Sequence, residues 1–106
     1  MQGISFPQQT TIYGKPAGWK DEDCYGLPVS QSYYLNSDGK RVPCLISCWE
    51  LTPEELAEVQ KTGKIYLSVT GTGMPPVYLF AENPFPVEYD KDQALDIHTK
   101  FREGAL

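Results

Sequence analysis

Residues 49–77, WELTPEELAEVQKTGKIYLSVTGTGMPPV, carry the strongest folding signals in the sequence. Thr52 is placed as a helix N-cap, a proline follows it at the first helical position, and Glu55 provides the carboxylate of a capping box. Gly63 supplies the left-handed stop that ends many helices. These signals predict a short capped helix over about residues 53–62.

The period of the sequence changes to two after this helix. Ile65, Leu67 and Val69 alternate with polar or tyrosine positions, and such alternation is typical of a β-strand. We therefore expect one strand over residues 64–71 and another over residues 76–81, joined by a loop rich in glycine and proline.

Three further strands are expected before the helix. Residues 10–13 and 28–35 alternate, and the segment 36–39 (Asn-Ser-Asp-Gly) is a strong hairpin loop. The returning strand, residues 41–49, is apolar on both faces, which predicts a central strand with the helix packed across one face. Trp49 would then be buried, and its replacement by alanine would cost about 3–5 kcal/mol.

The C-terminal part of the chain predicts a second helix. A proline-rich spacer at residues 83–90 precedes it, and the spacing of Ile97 and Phe101 with flanking alanines indicates a helix over about 91–103. A short helix is marginal alone in water, so its narrow apolar stripe must be covered. The stripe docks on its own sheet or pairs with another subunit. We favour a homo-oligomer with Ile97 and Phe101 in its interface.

Together these elements predict one α+β domain of 106 residues. Its core is a small antiparallel sheet of four or five strands with one capped helix packed on it, followed by a C-terminal helix. Residues 1–82 would form the core, residues 83–90 the spacer and residues 91–106 the C-terminal helix.

The net charge of −5 argues against direct contact with nucleic acid, because binding to a phosphate backbone depends on clustered Lys and Arg. No stretch approaches the roughly 20 apolar residues of a membrane span, and the N-terminus lacks the pattern of a signal peptide. Three cysteines, an odd number, fit a reducing compartment better than a disulfide framework. We expect a cytoplasmic protein that does not contact a membrane.

The sequence contains no pattern that a catalytic or metal site requires. His98 is the single histidine, and no elbow motif supplies an activated serine for it. Cys44 and Cys48 lie on one predicted strand, which would spread their thiolates apart, whereas zinc knuckles gather closely spaced ligands. We therefore expect no catalytic residues, no metal and no cofactor.

The loop between the last two predicted strands is the remaining candidate for a binding site. Its glycines leave backbone N–H groups uncovered, and such turns can cradle a phosphate or a carboxylate. Its methionine and prolines equally form a rigid apolar knob suited to a protein contact, and a plain hairpin connection is the alternative. The residues that we expect to bind a ligand or partner are Gly71, Thr72, Gly73, Met74 and Pro75 of the loop, with Tyr13, Trp19, Lys20 and Tyr78.

The order of several motifs resembles a group of small proteins encoded by phages and prophages. The matching residues are Gly14, Pro16, Gly18-Trp19, Leu27-Pro28-Val29, Trp49, Thr52 to Leu56, Gly63 to Val69 and Pro76-Val77. The resemblance covers about residues 12–80 and includes no catalytic residue. It implies an accessory phage product that acts in the cytoplasm of a host bacterium.

Such a product is expected to antagonise a bacterial defence or host factor by binding. In one version its acidic face and tail helix block a basic surface of a host protein. In the other, the 71–76 loop with Tyr and Trp side chains holds a small nucleotide-like ligand. The alternatives are a virion structural protein and a small hydrolase of a signalling nucleotide, to which only His98, Cys24 and Asp21–Asp23 could contribute.

Overall fold

The computed structural model describes residues 1–14, 26–69, 71–73 and 77–97. These residues form a small α+β fold with antiparallel sheets, which confirms the predicted class. The elements in chain order are β1 (Gln2–Ile4), β2 (Thr11–Tyr13), β3 (Leu27–Leu35), β4 (Arg41–Ile46), β5 (Cys48–Glu50) and α1 (Pro53–Thr62).

The turn between β3 and β4 forms at the predicted hairpin loop. The Asn36 N–H donates to the Lys40 carbonyl at 2.9 Å. The Asn36 side-chain oxygen accepts hydrogen bonds from the backbone N–H groups of Asp38 and Lys40, at 2.9 and 3.0 Å. Gly39 completes the turn with a φ of 75°, a conformation that residues with a Cβ rarely adopt. Local chemistry therefore fixes the register of this hairpin.

Strand β3, not β4, is the central strand of a three-stranded sheet ordered β2-β3-β4. The pairing with β4 runs from Leu35 opposite Arg41 to Ser30 opposite Ile46. Hydrogen-bonded and non-hydrogen-bonded pairs alternate along an antiparallel ladder. Because Asn36 bonds to Lys40, the even-numbered residues of β4 bond to β3, and the odd-numbered residues direct their backbone groups to the free edge. Pro43 is one of these residues, and its missing N–H weakens this edge as a site for a further strand. The prediction that residues 41–49 form one central strand is therefore wrong.

The chain passes from one sheet to a second sheet at Ser47. The next hydrogen-bonded pair of the β3–β4 ladder would place Pro28 opposite Cys48, and Pro28 has no N–H to donate. Instead Cys48 pairs with Ile4, and β5 joins β1 in a separate two-stranded antiparallel sheet. Strand β1 was not expected from the sequence, because three residues are too few to show a period.

The core lies on one face of the β3–β4 hairpin and is closed by the C-terminal part of the described chain. Its buried members are Tyr34, Leu95 and Ile97. Leu95 is held against β3 by its backbone N–H, which donates to the Tyr33 carbonyl at 2.8 Å. The partly buried side chains packed against this cluster are Val42, Cys44, Ile46, Tyr78, Phe80, Phe85 and Tyr89.

A short chain of hydroxyl groups runs through the buried face of β3. Ser30 and Ser32 are buried, and their hydroxyl oxygens lie 2.8 Å apart. The Ser32 hydroxyl lies 3.0 Å from the hydroxyl of Tyr89. Buried polar groups cost stability unless they are paired, and this chain pairs all three. It ties the segment before the C-terminus to the middle of the sheet.

Helix α1 forms where the sequence predicts it. The Thr52 side chain accepts a hydrogen bond from the Glu55 N–H, and the Glu55 carboxylate accepts one from the Thr52 N–H. The helix ends at Gly63, which has a φ of 67°. However, no residue of α1 is buried, so the expectation that this helix packs across the sheet is wrong. Its described tertiary anchor is an ion pair between Glu55 and the amino group of Met1.

The two strands predicted after α1 are absent from the described residues at 64–69, 71–73 and 77–81. Residues 64–69 have no regular secondary structure, and Ile65, Leu67 and Val69 are all exposed. Alternation signals a half-buried strand only where a pairing strand exists, and no described residue pairs with this segment.

The second predicted helix does not begin at residue 91. Residues 91–93 form a turn, in which the Gln93 N–H donates to the Asp90 carbonyl at 2.8 Å, and Leu95 forms an isolated bridge to Tyr34. A helix that starts at residue 91 is therefore wrong. The remainder of the predicted helix, residues 98–103, lies outside the described residues.

Candidate functional site

The residues that the sequence predicts for binding do not form one site in the described chain. Gly71, Thr72 and Gly73 are exposed, and Tyr13 is 46% exposed on β2. Of the described members of the predicted set, Tyr78 alone lines the cleft described next. Trp19, Lys20, Met74 and Pro75 lie outside the described residues.

An open apolar cleft of about 520 Å³ lies where the chain changes from β4 to β5. Its size is within the roughly 300–1,000 Å³ typical of ligand pockets. Five parts of the chain line it: Met1, residues 6–8, residues 45–49 with Leu51, Ile65, and residues 78–85. We call this region the apolar cleft.

The rim of the apolar cleft carries large apolar side chains that are only half covered. Leu45, Trp49, Ile65 and Leu79 line the cleft and are 55%, 48%, 49% and 65% exposed. Single exposed apolar residues are ordinary on protein surfaces, whereas a group of four that lines one concavity is a feature typical of interaction sites. The expectation that Trp49 is buried is therefore wrong, because the outer face of β4 and β5 is not covered by α1.

Trp49 is held in a defined orientation at this rim. Its indole N–H donates to the Ser47 hydroxyl at 2.7 Å, so its single donor is already satisfied within the chain. Gly3 is its register partner in β1, and a Cβ at Gly3 would lie 3.8 Å from the indole ring and 2.5 Å from Leu27. The absence of a side chain at Gly3 thus lets the backbone of β1 lie against the Leu27 side chain, while the indole ring lies at ordinary contact distance. What Trp49 offers to a partner is apolar ring surface.

Aromatic rings connect the apolar cleft to the core beneath it. Tyr78 meets Tyr34 edge-to-face, with ring centroids 6.2 Å apart. Phe85 packs edge-to-face on Tyr89 at 4.9 Å and lies 6.1 Å from the ring of Phe6. Because these contacts fix the walls on both sides, the concavity is a property of the folded chain.

The apolar cleft is poor in positive charge. Among its described lining residues there is no Lys or Arg, and Glu82 is the only charged side chain. The amino group of Met1, which also lines the cleft, is neutralised by its ion pair with Glu55. The neighbouring Glu50 is exposed at the end of β5. A hydrogen bond with Tyr78 and burial raise the pKa of Tyr34 beneath the cleft, so this phenol stays neutral at physiological pH. The electrostatics of the site therefore disfavour an anionic ligand.

The described residues supply few groups for chemistry. They contain no cluster of three or more His, Cys, Asp or Glu side chains that could hold a metal ion. Burial raises the pKa of the Cys44 thiol, which lowers its thiolate population at neutral pH. His98, Cys24 and Asp21–Asp23, which the hydrolase alternative would need, lie outside the described residues.

Of the two residues predicted for an oligomer interface, Ile97 is among the described residues. Ile97 is 1% exposed and packs with Tyr34 and Leu95, so its side chain is used within its own chain. This is the docking alternative that the sequence left open. Phe101 lies outside the described residues.

Apart from Tyr78, the described residues of the apolar cleft were missed, because residues 41–49 were interpreted as a fully covered strand. Leu45 and Trp49 occupy one face of residues 41–49, and that face was assigned to a packing helix. The exposed carboxylates of α1 were available as a signal: a ten-residue helix without a wide apolar face has little to pack with.

No described helix is long and apolar enough to cross a membrane. Comparison of the chain with protein-family models, with curated proteins and with solved structures finds no significant match. No relative therefore supplies roles for individual residues.

Proposed function

We propose that this is a non-enzymatic binding protein whose apolar cleft holds a segment of a partner protein. In the setting that the phage resemblance implies, the partner is a host protein of the bacterial cytoplasm, and occupation of its surface blocks a defence or another host function. The observation that carries the proposal is the set of half-exposed apolar side chains around one concavity: Leu45, Trp49, Ile65 and Leu79.

The contacts around Trp49 support a role as the anchor of this interface. Tryptophan is enriched among the few residues that dominate binding energy, especially where it fills or borders a pocket. The hydrogen bond to Ser47 fixes the ring before a partner arrives. Less conformational entropy is then lost on binding, which favours affinity.

The charge of the protein indicates the chemistry of the partner. The chain carries a net charge of −5, and Glu50 and Glu82 lie at or beside the apolar cleft. A segment with an apolar side chain flanked by Lys or Arg complements both features. Such complementarity acts mainly on the association rate and on specificity, so binding should weaken as salt is raised.

The same observations favour a protein partner over a nucleotide-like ligand. A nucleotide brings phosphate charge, and the described lining of the cleft offers no Lys or Arg to bind it. The described residues of the glycine loop proposed from the sequence, Gly71–Gly73, are exposed and are not among the residues that line the cleft.

Affinity capture with matched variants tests the proposal. The immobilised wild-type chain, Leu79→Asp and Leu35→Asp are incubated with bacterial lysate. Leu79 lines the cleft and is 65% exposed, whereas Leu35 is 47% exposed at the hairpin end of β3 and does not line it. Both substitutions add one negative charge to an exposed leucine, so neither should unfold the chain.

We expect a protein that is retained by the wild type and by Leu35→Asp but lost from Leu79→Asp. With that protein purified, Leu79→Asp should raise the dissociation constant at least tenfold, equivalent to about 1.4 kcal/mol. Equal retention by all three chains, or retention by none, contradicts the proposal. Calorimetry against a panel of nucleotides, with heat released by the wild type, would favour the ligand version instead.

A further inference from the structure

The segment Lys64–Val69 combines the sequence of a strand with a backbone that pairs with no other described part of the chain. In the sequence the apolar residues Ile65, Leu67 and Val69 alternate with Tyr66 and Ser68. No backbone hydrogen bond joins residues 65–69 to any other described residue. The side chains are exposed, from 37% at Val69 to 87% at Tyr66.

We propose that Lys64–Val69 is a docking strand that pairs antiparallel with the same segment of a second copy of this chain. The two-fold axis passes through Leu67, so Leu67 lies opposite its own counterpart. Ile65 then lies opposite Val69, and Tyr66 opposite Ser68. The inference goes beyond the proposed function, because it does not depend on any other partner.

The alternation of the segment selects this register. Residues that lie opposite each other in an antiparallel pair share one face of the ribbon. Centring the axis on Leu67 therefore puts all three apolar residues of both strands on one face. A shift by one residue places apolar against polar positions. A shift by two, with the axis at Tyr66, leaves Val69 opposite Gly63.

Two strands could pair with Lys64–Val69: the same segment of a second copy, or the free edge of β4. The charged residues and the Pro and Gly content of the two strands favour the second copy. Lys64 is the only charged residue of the docking strand, and it lies at one end, so self-pairing brings no like charges together. The segment contains no Pro or Gly. The free edge of β4, in contrast, contains Pro43 and begins at Arg41, two features that protect edges from pairing.

The interface must extend beyond the docking strand itself. An isolated pair of strands is marginal in water, and a stable interface buries about 800 Å² on each partner. Ile65 belongs both to the docking strand and to the wall of the apolar cleft, which Leu79 also lines. The additional area is thus buried where the paired ribbon borders the cleft at Ile65, and the half-exposed Leu79 stays open to a partner protein.

Light scattering over a concentration series tests the proposal with two lysine variants. The wild type and Tyr66→Lys should reach twice the chain mass of 11.9 kDa, whereas Leu67→Lys should remain at 11.9 kDa. The reason is that Leu67→Lys puts two ammonium groups opposite each other at the axis, while Tyr66→Lys faces Ser68. Both positions are exposed in the single chain, and circular dichroism should show both variants folded.

Cysteine cross-linking fixes the register. Under mild oxidation Leu67→Cys should form a disulfide with its own counterpart, identified by the mass of the linked peptide. Tyr66→Cys should not, because its counterpart is displaced along the ribbon beyond the roughly 7 Å that a disulfide can span between Cα atoms. A wild type that stays at the single-chain mass overturns the proposal. So does a dimer that Leu67→Lys leaves intact, because its interface would then lie elsewhere.

Discussion

The hydroxyl of Ser32 lies 3.0 Å from the hydroxyl of Tyr89, although the two residues are 57 positions apart. Ser32 is buried in the central strand, and its second hydroxyl contact is Ser30 at 2.8 Å. Tyr89 lies in the C-terminal part of the described chain, which covers the core. It therefore joins that part of the chain to the sheet by a specific polar contact as well as by its ring.

Removal of the Tyr89 hydroxyl should destabilise the fold measurably. Tyr89→Phe keeps the ring that packs on Phe85 but leaves the buried Ser32 with one partner fewer. We expect the free energy of unfolding to fall by about 1–2 kcal/mol, measured by urea denaturation. Tyr66→Phe is the control, because Tyr66 is 87% exposed, and its change should stay within about 0.5 kcal/mol. Equal changes in the two variants would contradict the role of the contact.

The raised pKa of Tyr34 predicts a loss of stability at alkaline pH. A hydrogen bond with Tyr78 and burial both favour the neutral phenol in the folded chain. Above the unfolded pKa of about 10, the unfolded chain loses this proton while the folded chain keeps it, so unfolding becomes progressively easier. This part of the stability is complete below pH of about 10 and is lost as the pH rises through the folded pKa.

Ultraviolet titration of tyrosinate measures this effect. We expect one of the seven tyrosines of the wild type to ionise later than the exposed ones, and Tyr34→Phe to remove that late step. The alkaline fall in unfolding free energy should be shallower in Tyr34→Phe than in wild type. A late step that persists in Tyr34→Phe would assign it to another tyrosine.

The capping box should stabilise α1 against local opening, with little effect on the stability of the rest of the fold. Thr52→Ala removes the hydroxyl that accepts the Glu55 N–H, and such losses cost about 1 kcal/mol. Because α1 buries no residue, this cost should fall on local opening of the helix. We expect roughly fivefold faster amide exchange within α1 and little change in the global unfolding free energy. A fall of the global value by the full amount would mean that α1 unfolds together with the sheet.

Trp49→Ala should be mild for stability, in contrast to the cost of 3–5 kcal/mol expected for a buried ring. The ring is 48% exposed, so about half of its surface is already in water in the folded chain. We expect a loss of roughly 1–2 kcal/mol in urea denaturation. Phe85→Ala is a useful comparison, because Phe85 is more buried and contacts both Phe6 and Tyr89, and it should cost more. A larger loss of stability for Trp49→Ala than for Phe85→Ala would mean that Trp49 belongs to the core.

Sequence reasoning succeeded where residues act through their own neighbours in the chain. Asn36 forms its turn with Asp38 and Lys40, and Thr52 forms its cap with Glu55, so both structures follow from local chemistry. It failed where the outcome depends on distant parts of the chain. Residues 64–69 have the alternation of a strand, but their pairing requires a second strand that the pattern cannot supply.

The apolar cleft shows the same limit. The sequence identifies Leu45 and Trp49 as apolar and places them on one face, but it does not say whether anything covers that face. The sequence of residues 41–49 also does not show that the chain changes sheet at Ser47. That change depends on Pro28 in β3, which has no N–H to continue the ladder with β4. Ile97 was correctly chosen as an apolar residue that must be covered, and the structure covers it within its own chain.

The most direct test of the central claim, that the apolar cleft holds a partner protein, is site-specific photo-crosslinking in bacterial cells. A photoreactive phenylalanine analogue is introduced at Leu79 in the cleft and, as a matched control, at Leu35 on the opposite end of the hairpin sheet. We expect an adduct with a different protein from position 79 and a much lower yield of it from position 35. Equal yields from both positions, no adduct from position 79, or an adduct there with only a second copy of this chain would contradict the claim.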